Sequence, residues 1–76
     1  MSVLAARADR IMTLLAQHPG RAYTATELSA ALGNLTPHQC RVAADRLVED
    51  GRATRRPSPR AEVRRSSSEY LQEVPA

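Results

Sequence analysis

The sequence has few of the residues that build large cores. Its 76 residues include no Trp and no Phe, and Tyr23 and Tyr70 are its two aromatic residues. A chain of this length forms one domain, near the lower size limit for folding on a hydrophobic core alone. The interior must be built from aliphatic side chains and alanines, which favours closely packed helices over a deep sandwich or a cavity. We therefore expect no large pocket and no small-molecule ligand.

Cysteine is scarce, and long apolar segments are absent. Cys40 is the single cysteine, which excludes an intramolecular disulfide and a thiolate zinc site and fits a reducing compartment. The two histidines, His18 and His38, are far apart in the sequence, so we expect neither a metal nor a cofactor. The apolar stretches are too short to span a bilayer, and no basic segment followed by a hydrophobic run opens the chain. We expect a soluble, cytoplasmic protein without membrane contact.

Lysine is absent, so arginine alone supplies the basic charge, and that charge is concentrated in the last third of the chain. Residues 1–51 hold five Arg against five acidic residues, whereas residues 52–76 hold six Arg against three Glu. A neutral body with one positive end is typical of a surface that binds a polyanion. No Gly-rich phosphate loop, catalytic carboxylate pair or nucleophile constellation occurs. We therefore expect a protein that is not an enzyme.

Apolar periodicity predicts a first helix over about residues 2–17. The apolar residues that recur there at helical spacing are Leu4, Ala8, Ile11 and Leu15. The segment 18–20, His-Pro-Gly, ends this helix because Pro disfavours helix in the residue before it. A short extended segment, 21–23, follows.

Two capping boxes predict the next two helices. Thr24 with Glu27 starts a helix over about residues 24–32, and Thr36 with Gln39 starts one over about residues 36–50. Gly33 stands where a left-handed C-cap is expected. The expected apolar face of the second helix consists of Leu28, Ala31 and Leu32. That of the third consists of Cys40, Ala44 (or Ala43), Leu47 and Val48.

A β-hairpin is predicted over about residues 52–74. Residues 52–56 alternate well enough for a strand, and Pro and Ser follow. The partner strand has two candidates, residues 62–65 and residues 69–74. We favour the later segment because Tyr70 and Leu71 would otherwise be left outside the core.

Three helices, two of them capped and separated by a Gly-containing turn, followed by an Arg-rich hairpin, resemble the winged helix-turn-helix family. Residues 23–33 correspond to its positioning helix, and residues 35–53 to its recognition helix and the start of its wing. The run is similar to bacterial MarR-like and related repressor modules, and the resemblance covers about residues 5–74. One departure is that Ala43 and Ala44 stand where a larger apolar residue is usual.

The resemblance implies a mainly α fold with a small β-hairpin, a three-helix winged helix-turn-helix in one domain over residues 1–76. It also implies binding to double-stranded DNA. The protein would be a small transcriptional regulator or a phage- or plasmid-type recombination accessory factor, with its third helix in the major groove.

The third helix carries side chains that can read base edges near its start. Arg can bond guanine bidentately and Gln can bond adenine. The expected DNA-binding residues of this helix are Thr36, His38, Gln39, Arg41, Val42 and Asp45. The alternative interpretation is a solvated polar face.

Arginines of the predicted wing can reach phosphates or an adjacent minor groove. They are Arg52, Arg55, Arg56, Arg60, Arg64 and Arg65. The alternative interpretation is a solubilising, poorly ordered loop.

Two expectations concern partners. Surplus apolar groups in residues 1–5 suggest a homodimer through the first helix, since DNA regulators commonly bind as symmetric dimers. The alternative function is a winged-helix module that docks on a larger protein. DNA binding needs the third helix and the wing to form one positive face, whereas docking would leave that helix covered or acidic. Asp45 favours docking, and the wing arginines favour DNA.

Overall fold

The computed structural model describes residues 2–57 and 68–73. Within them the chain forms three helices and a three-stranded antiparallel sheet. The helices are α1 (Val3–Gln17), α2 (Ala25–Leu32) and α3 (Pro37–Glu49), and the strands are β1 (Tyr23–Thr24), β2 (Thr54–Pro57) and β3 (Ser68–Leu71). The three helices predicted from the sequence are present, and the fold is mainly helical. No helix in these residues has the length and apolar character that crossing a membrane requires.

Hydrogen bonds at the starts of α2 and α3 confirm both predicted capping boxes. The Thr24 hydroxyl accepts from the Glu27 N–H at 3.2 Å, and the Glu27 carboxylate accepts from the Thr24 N–H at 2.9 Å. Thr36 and Gln39 make the equivalent bonds at 3.1 and 3.0 Å. These bonds satisfy N–H groups that have no partner within the first turn. At its other end α2 stops at Gly33, whose φ of 85° is the predicted left-handed cap.

The core is centred on α3, which packs against both α1 and α2. Its inward residues Cys40, Ala43, Ala44 and Leu47 are all fully buried, so both alanines face the core, while Val48 is partly buried. The interaxial distance of packed helices depends on the side chains at the contact, and alanines allow a short one. The core residues that the other two helices contribute are Ala8, Ile11, Leu15 and Leu28.

The assignment of Ala31 to the apolar face of α2 is wrong, because this residue is exposed. Leu28 is fully buried, and Leu32 and Ser29 are partly buried. At about 100° per residue these three lie along one arc of the helix, and Ala31 lies on the other side of Leu28. The Ser29 hydroxyl donates to the Leu35 carbonyl, so this side of α2 contacts the turn that follows the helix.

The sheet has one strand more than the predicted hairpin. Its order is β1-β3-β2, so β3 is central, and the register places Glu69 between Thr24 and Arg56. β3 overlaps the later of the two candidate segments at residues 69–71, and Tyr70 and Leu71 are buried there as expected. The earlier candidate, residues 62–65, lies outside the described residues. β1 was not predicted as a strand, because Tyr23 was expected in a short extended segment and Thr24 at the start of the second helix.

Leu47→Ala should destabilise the domain by roughly 2 to 5 kcal/mol, because it removes buried methyl groups and leaves a cavity among α1, α2 and α3. Natural domains have only about 5 to 15 kcal/mol of unfolding free energy, so much of the stability would be lost. Denaturant unfolding followed by circular dichroism measures the change. Val42→Ala, on the exposed side of the same helix, is the matched control and should change stability much less. A Leu47→Ala variant as stable as wild type would place Leu47 outside the core.

Candidate nucleic-acid interface

α3 presents a second stripe on the side opposite its buried residues. His38, Arg41, Val42 and Asp45 follow the spacing i, i+3, i+4, i+7, which is the spacing of the buried stripe shifted by two residues. Asp45 is half-buried and the other three are exposed. Val42 is 43% exposed, and together with Val3 it is one of two large apolar side chains that the described residues leave in solvent. The stripe therefore combines charged, polar and apolar groups that are accessible to a partner.

Within this stripe Arg41 and His38 contact each other. Arg41 Nη2 lies 3.2 Å from His38 Nδ1. A guanidinium can only donate, so Nδ1 is the acceptor, and in the neutral ring the proton is on Nε2. The contact joins two hydrogen-bond donors, the guanidinium and the Nε2–H group, into one exposed unit.

Thr36 and Gln39, also predicted to contact DNA, are used within the chain. Gln39 Oε1 accepts the Thr36 N–H at 3.0 Å as part of the capping box of α3. Bidentate bonding to adenine requires both the oxygen and the nitrogen of the Gln amide. A bidentate bond from Gln39 to adenine would therefore have to share this oxygen with the capping box.

Asp45 connects α3 to the sheet. Its Oδ1 accepts from the Tyr70 hydroxyl at 2.8 Å and from Arg55 Nη1 at 3.0 Å. Tyr70 is 1% exposed, and a buried hydroxyl is costly without a hydrogen-bond partner. The acidic residue predicted to contact DNA is therefore the residue that satisfies the largest buried side chain. From the sequence Tyr70 was predicted only as a core residue, and its bond to Asp45 was missed. One signal could have indicated the bond, because Asp45 is an acidic residue on a stripe whose other side chains suit an anion.

The surroundings of Tyr70 show that arginines from two elements converge on this junction. Burial raises the pKa of Tyr70 to about 12, and the hydrogen bond to Asp45 and the charge of Asp45 act in the same direction. The positive charges of Arg55 and Arg41 act in the opposite direction and lower the pKa. Arg55 of β2 bonds Asp45, and Arg41 lies four residues before Asp45 on α3, so both arginines flank Asp45 on one helix face.

The described arginines of the predicted wing all have carboxylate partners. Arg52 Nη1 lies 3.9 Å from Asp9, Arg55 Nη1 lies 3.0 Å from Asp45, and Arg56 Nε lies 2.8 Å from Glu69. Arg60, Arg64 and Arg65 lie outside the described residues, so their phosphate contacts stay predictions from the sequence.

The three ion pairs differ in how easily they can be exchanged. The Arg52 and Arg55 pairs are partly exposed to solvent, and such pairs contribute about 0 to 1 kcal/mol. Arg55 can therefore leave Asp45 for a phosphate at little cost, and Asp45 keeps its bond to Tyr70. Arg56 is held differently, because Glu69 is 3% exposed and would be left as a buried, uncompensated charge. The Arg55 guanidinium is therefore available to a ligand, whereas the Arg56 guanidinium is held by Glu69.

The direction of α3 is fixed by contacts around the turn before it. Arg10 of α1 donates to Asn34 Oδ1 at 2.6 Å and to the Leu32 carbonyl at 3.4 Å. The Ser29 hydroxyl, on α2, donates to the Leu35 carbonyl of the same turn. These bonds join α1, the end of α2 and the start of α3, so they set where the exposed stripe of α3 points.

Cys40 is buried, as predicted, and burial raises the pKa of its thiol, partly offset by Arg10 and Arg7. A thiol in such surroundings packs as a small apolar group. In the described ranges no group of three or more His, Cys, Asp or Glu side chains could hold a metal ion.

Comparison with known proteins finds no matching family model, no matching curated protein and no matching solved structure. The features of this chain that bear on its function are therefore the exposed stripe of α3 and the contacts of Asp45.

Tyr70 should stabilise the fold up to strongly alkaline pH. Its folded-state pKa is raised from 10.0 to about 12, so folding favours the neutral phenol. This contribution, roughly 2 to 3 kcal/mol, is complete below about pH 10 and is lost as the pH rises through about 12. We expect the free energy of unfolding to fall across that interval, with tyrosinate absorbance appearing over the same range.

Two variants separate Tyr70 from other alkaline effects. Tyr70→Phe should lose the step, and Tyr23→Phe should keep it. A wild-type step that survives in Tyr70→Phe would show that another group, and not the Tyr70 phenol, causes it.

Proposed function

We propose that this chain is a winged helix-turn-helix domain that binds double-stranded DNA, as a small transcriptional regulator or a recombination accessory factor. In this proposal α2 and α3 form the helix-turn-helix, α3 lies in the major groove, and β2 and β3 belong to the wing beside the DNA backbone. The protein needs no cofactor for this role and acts without catalysis.

The observation that carries the proposal is the junction at Asp45. Asp45, the last residue of the exposed stripe, bonds Arg55 of β2, and Arg41 precedes Asp45 by about one turn of the same helix face. As argued from the sequence, DNA binding requires the third helix and the wing to form one positive face. The segment that joins β2 to β3 adds three further Arg against one Glu in the sequence. Positive charge on one face raises the local concentration of a polyanion and steers its approach.

The dimensions of α3 suit this role. A helix of 13 residues is about 20 Å long, and the major groove is about 12 Å wide, which matches the diameter of an α-helix. The residues that bind α3 to the core lie on its opposite side. α3 can thus enter a groove without disturbing the packing that keeps the domain folded.

One observation favours docking on a larger protein instead. The described wing arginines are already paired with carboxylates of the chain, so less positive charge is free than the sequence suggests. The weakness of the exposed Arg55 pair weighs against this candidate, since a phosphate can replace Asp45. DNA binding and docking on a larger protein predict different results in a titration with duplex DNA.

Arg41 and Arg55 should affect DNA binding in different ways. If Arg41 contacts a base, Arg41→Ala should cost about 1 to 3 kcal/mol on the preferred duplex and much less on random duplex. If Arg55 contacts a phosphate, Arg55→Ala should weaken both duplexes by similar factors and lower the slope of log affinity against log salt by about one. Fluorescence anisotropy over a salt series, on enriched and random duplexes, measures both effects.

Arg46→Ala is the matched control for charge. Arg46 is on the same helix, pairs with Asp50 at 3.3 Å and borders α1 rather than the exposed stripe. The Arg46→Ala variant should bind both duplexes nearly as wild type does. If Arg41→Ala and Arg55→Ala also bind as wild type does, or if wild type binds no duplex, the docking function is the better one.

The proposal includes a homodimer through α1. Val3, near the start of α1, is 64% exposed, and a shallow groove of about 450 Å³ runs along the later part of this helix. Met12, Ala16 and Arg52 are among the residues that line the groove. This surface does not include the exposed stripe of α3, so both can be occupied together.

Sedimentation of the protein with a duplex at saturation should show two chains per DNA. The half-sites should then be about one helical turn, ~10 base pairs, apart. Val3→Asp, which places a charge on the expected contact, should reduce the complex to one chain per duplex. One wild-type chain per duplex at saturation would contradict the dimer and leave DNA binding itself intact.

A further inference from the structure

The side chains that α3 leaves free suggest which bases it reads. We propose that the preferred DNA contains a guanine next to a thymine, with the guanine bound by Arg41 and His38 and the thymine methyl by Val42. This inference rests on the proposed function, and it names the sequence class that such a domain would select.

The set of reading residues follows from what the other candidates already do. Gln39 and Thr36 are bonded to each other in the capping box. Asp45 accepts from Tyr70 and Arg55. Three exposed side chains of the predicted α3 site remain, and they are His38, Arg41 and Val42.

These three side chains present donors and an apolar surface. In the major groove guanine shows two acceptors, N7 and O6, whereas adenine and cytosine each show an amino donor that needs an acceptor from the protein. The Arg41 guanidinium only donates, and its contact with His38 Nδ1 leaves the Nε2–H of the neutral ring as a further donor. The pair is therefore complementary to guanine and not to the amino groups of adenine or cytosine.

Val42 supplies the second part of the preference. Its exposed methyl groups follow Arg41 directly on the helix, and the thymine methyl is the apolar group of the major groove. From His38 to Val42 the helix rises about 6 Å, and neighbouring base pairs are about 3.4 Å apart. The reading window thus covers about two neighbouring base pairs. Beyond it, Asp45 begins the junction with the sheet.

Base analogues test this assignment one atom at a time. Selection of wild-type protein on a randomised duplex library should first enrich a core with adjacent guanine and thymine. In that core, 7-deazaguanine removes the N7 acceptor and should weaken binding about 5- to 100-fold. Uracil in place of thymine removes one methyl group and should weaken binding about 4-fold. Both analogues keep Watson–Crick pairing.

Variants then connect each base atom to its residue. The double variant Arg41→Ala/His38→Ala should bind the 7-deazaguanine and guanine duplexes alike, and Val42→Ala should bind the uracil and thymine duplexes alike. His38→Gln retains a donor near the Nε2 position, whereas His38→Asn retains an acceptor near Nδ1. His38→Gln should therefore keep more of the guanine preference than His38→Asn. Arg46→Ala should respond to both analogues as wild type does.

The outcomes separate this inference from the function on which it rests. Tight, salt-dependent binding without preference for guanine or thymine, or equal loss from the analogues in the Ala variants, would overturn the base assignment and leave DNA binding standing. An enriched core of adenine and cytosine would overturn it as well. Failure of wild type to bind any duplex would overturn the proposed function itself.

Discussion

The hydrogen bond from Tyr70 to Asp45 is the contact on which the relation between helices and sheet depends. Tyr70 is the largest fully buried side chain of the described residues, and burying it without an acceptor would be costly. The acceptor is supplied by α3 and not by the sheet, so the central strand is fixed against this helix. Arg55 bonds the same carboxylate oxygen, and β2 is thereby held beside the exposed stripe of α3. A requirement of the core thus brings together the two surfaces that the proposed function needs.

The second constraint is the small size of the interior. Because the chain has no Phe or Trp, α3 buries alanines and Cys40 on its inner side. The outer side of the same helix carries the exposed stripe. The inward stripe and the outward stripe have the same spacing and differ by two positions. Changes on the outward side, such as Val42 or Arg41, can therefore alter binding with little effect on packing. This separation allows a domain of 76 residues to combine a core and a binding surface in the same 13-residue helix.

Local signals were sufficient to predict the helices and not the long-range pairs. Both capping boxes, the cap at Gly33 and the burial of Cys40 follow from residues a few positions apart, and all are present. β1 was not predicted to pair because two residues are too few to show alternation. The partners of Asp45, Arg56 and Arg10 are 10 to 25 residues away in the sequence, and strand register and helix direction bring them together. Gln39 illustrates the ambiguity, since the same residue type suits a cap and a base contact, and the fold uses it for the cap.

The strand order has a consequence for solubility. β2 lies at the edge of the described sheet, and a strand there can act as a template for a strand of another chain. β2 ends in Pro57, which has no N–H to offer, and it carries two exposed charged residues, Arg55 and Arg56. Proline and charge are common means by which edge strands avoid aggregation. Arg55, which we assign to the DNA backbone, thus also disfavours pairing of β2 with a strand of another chain when no DNA is bound.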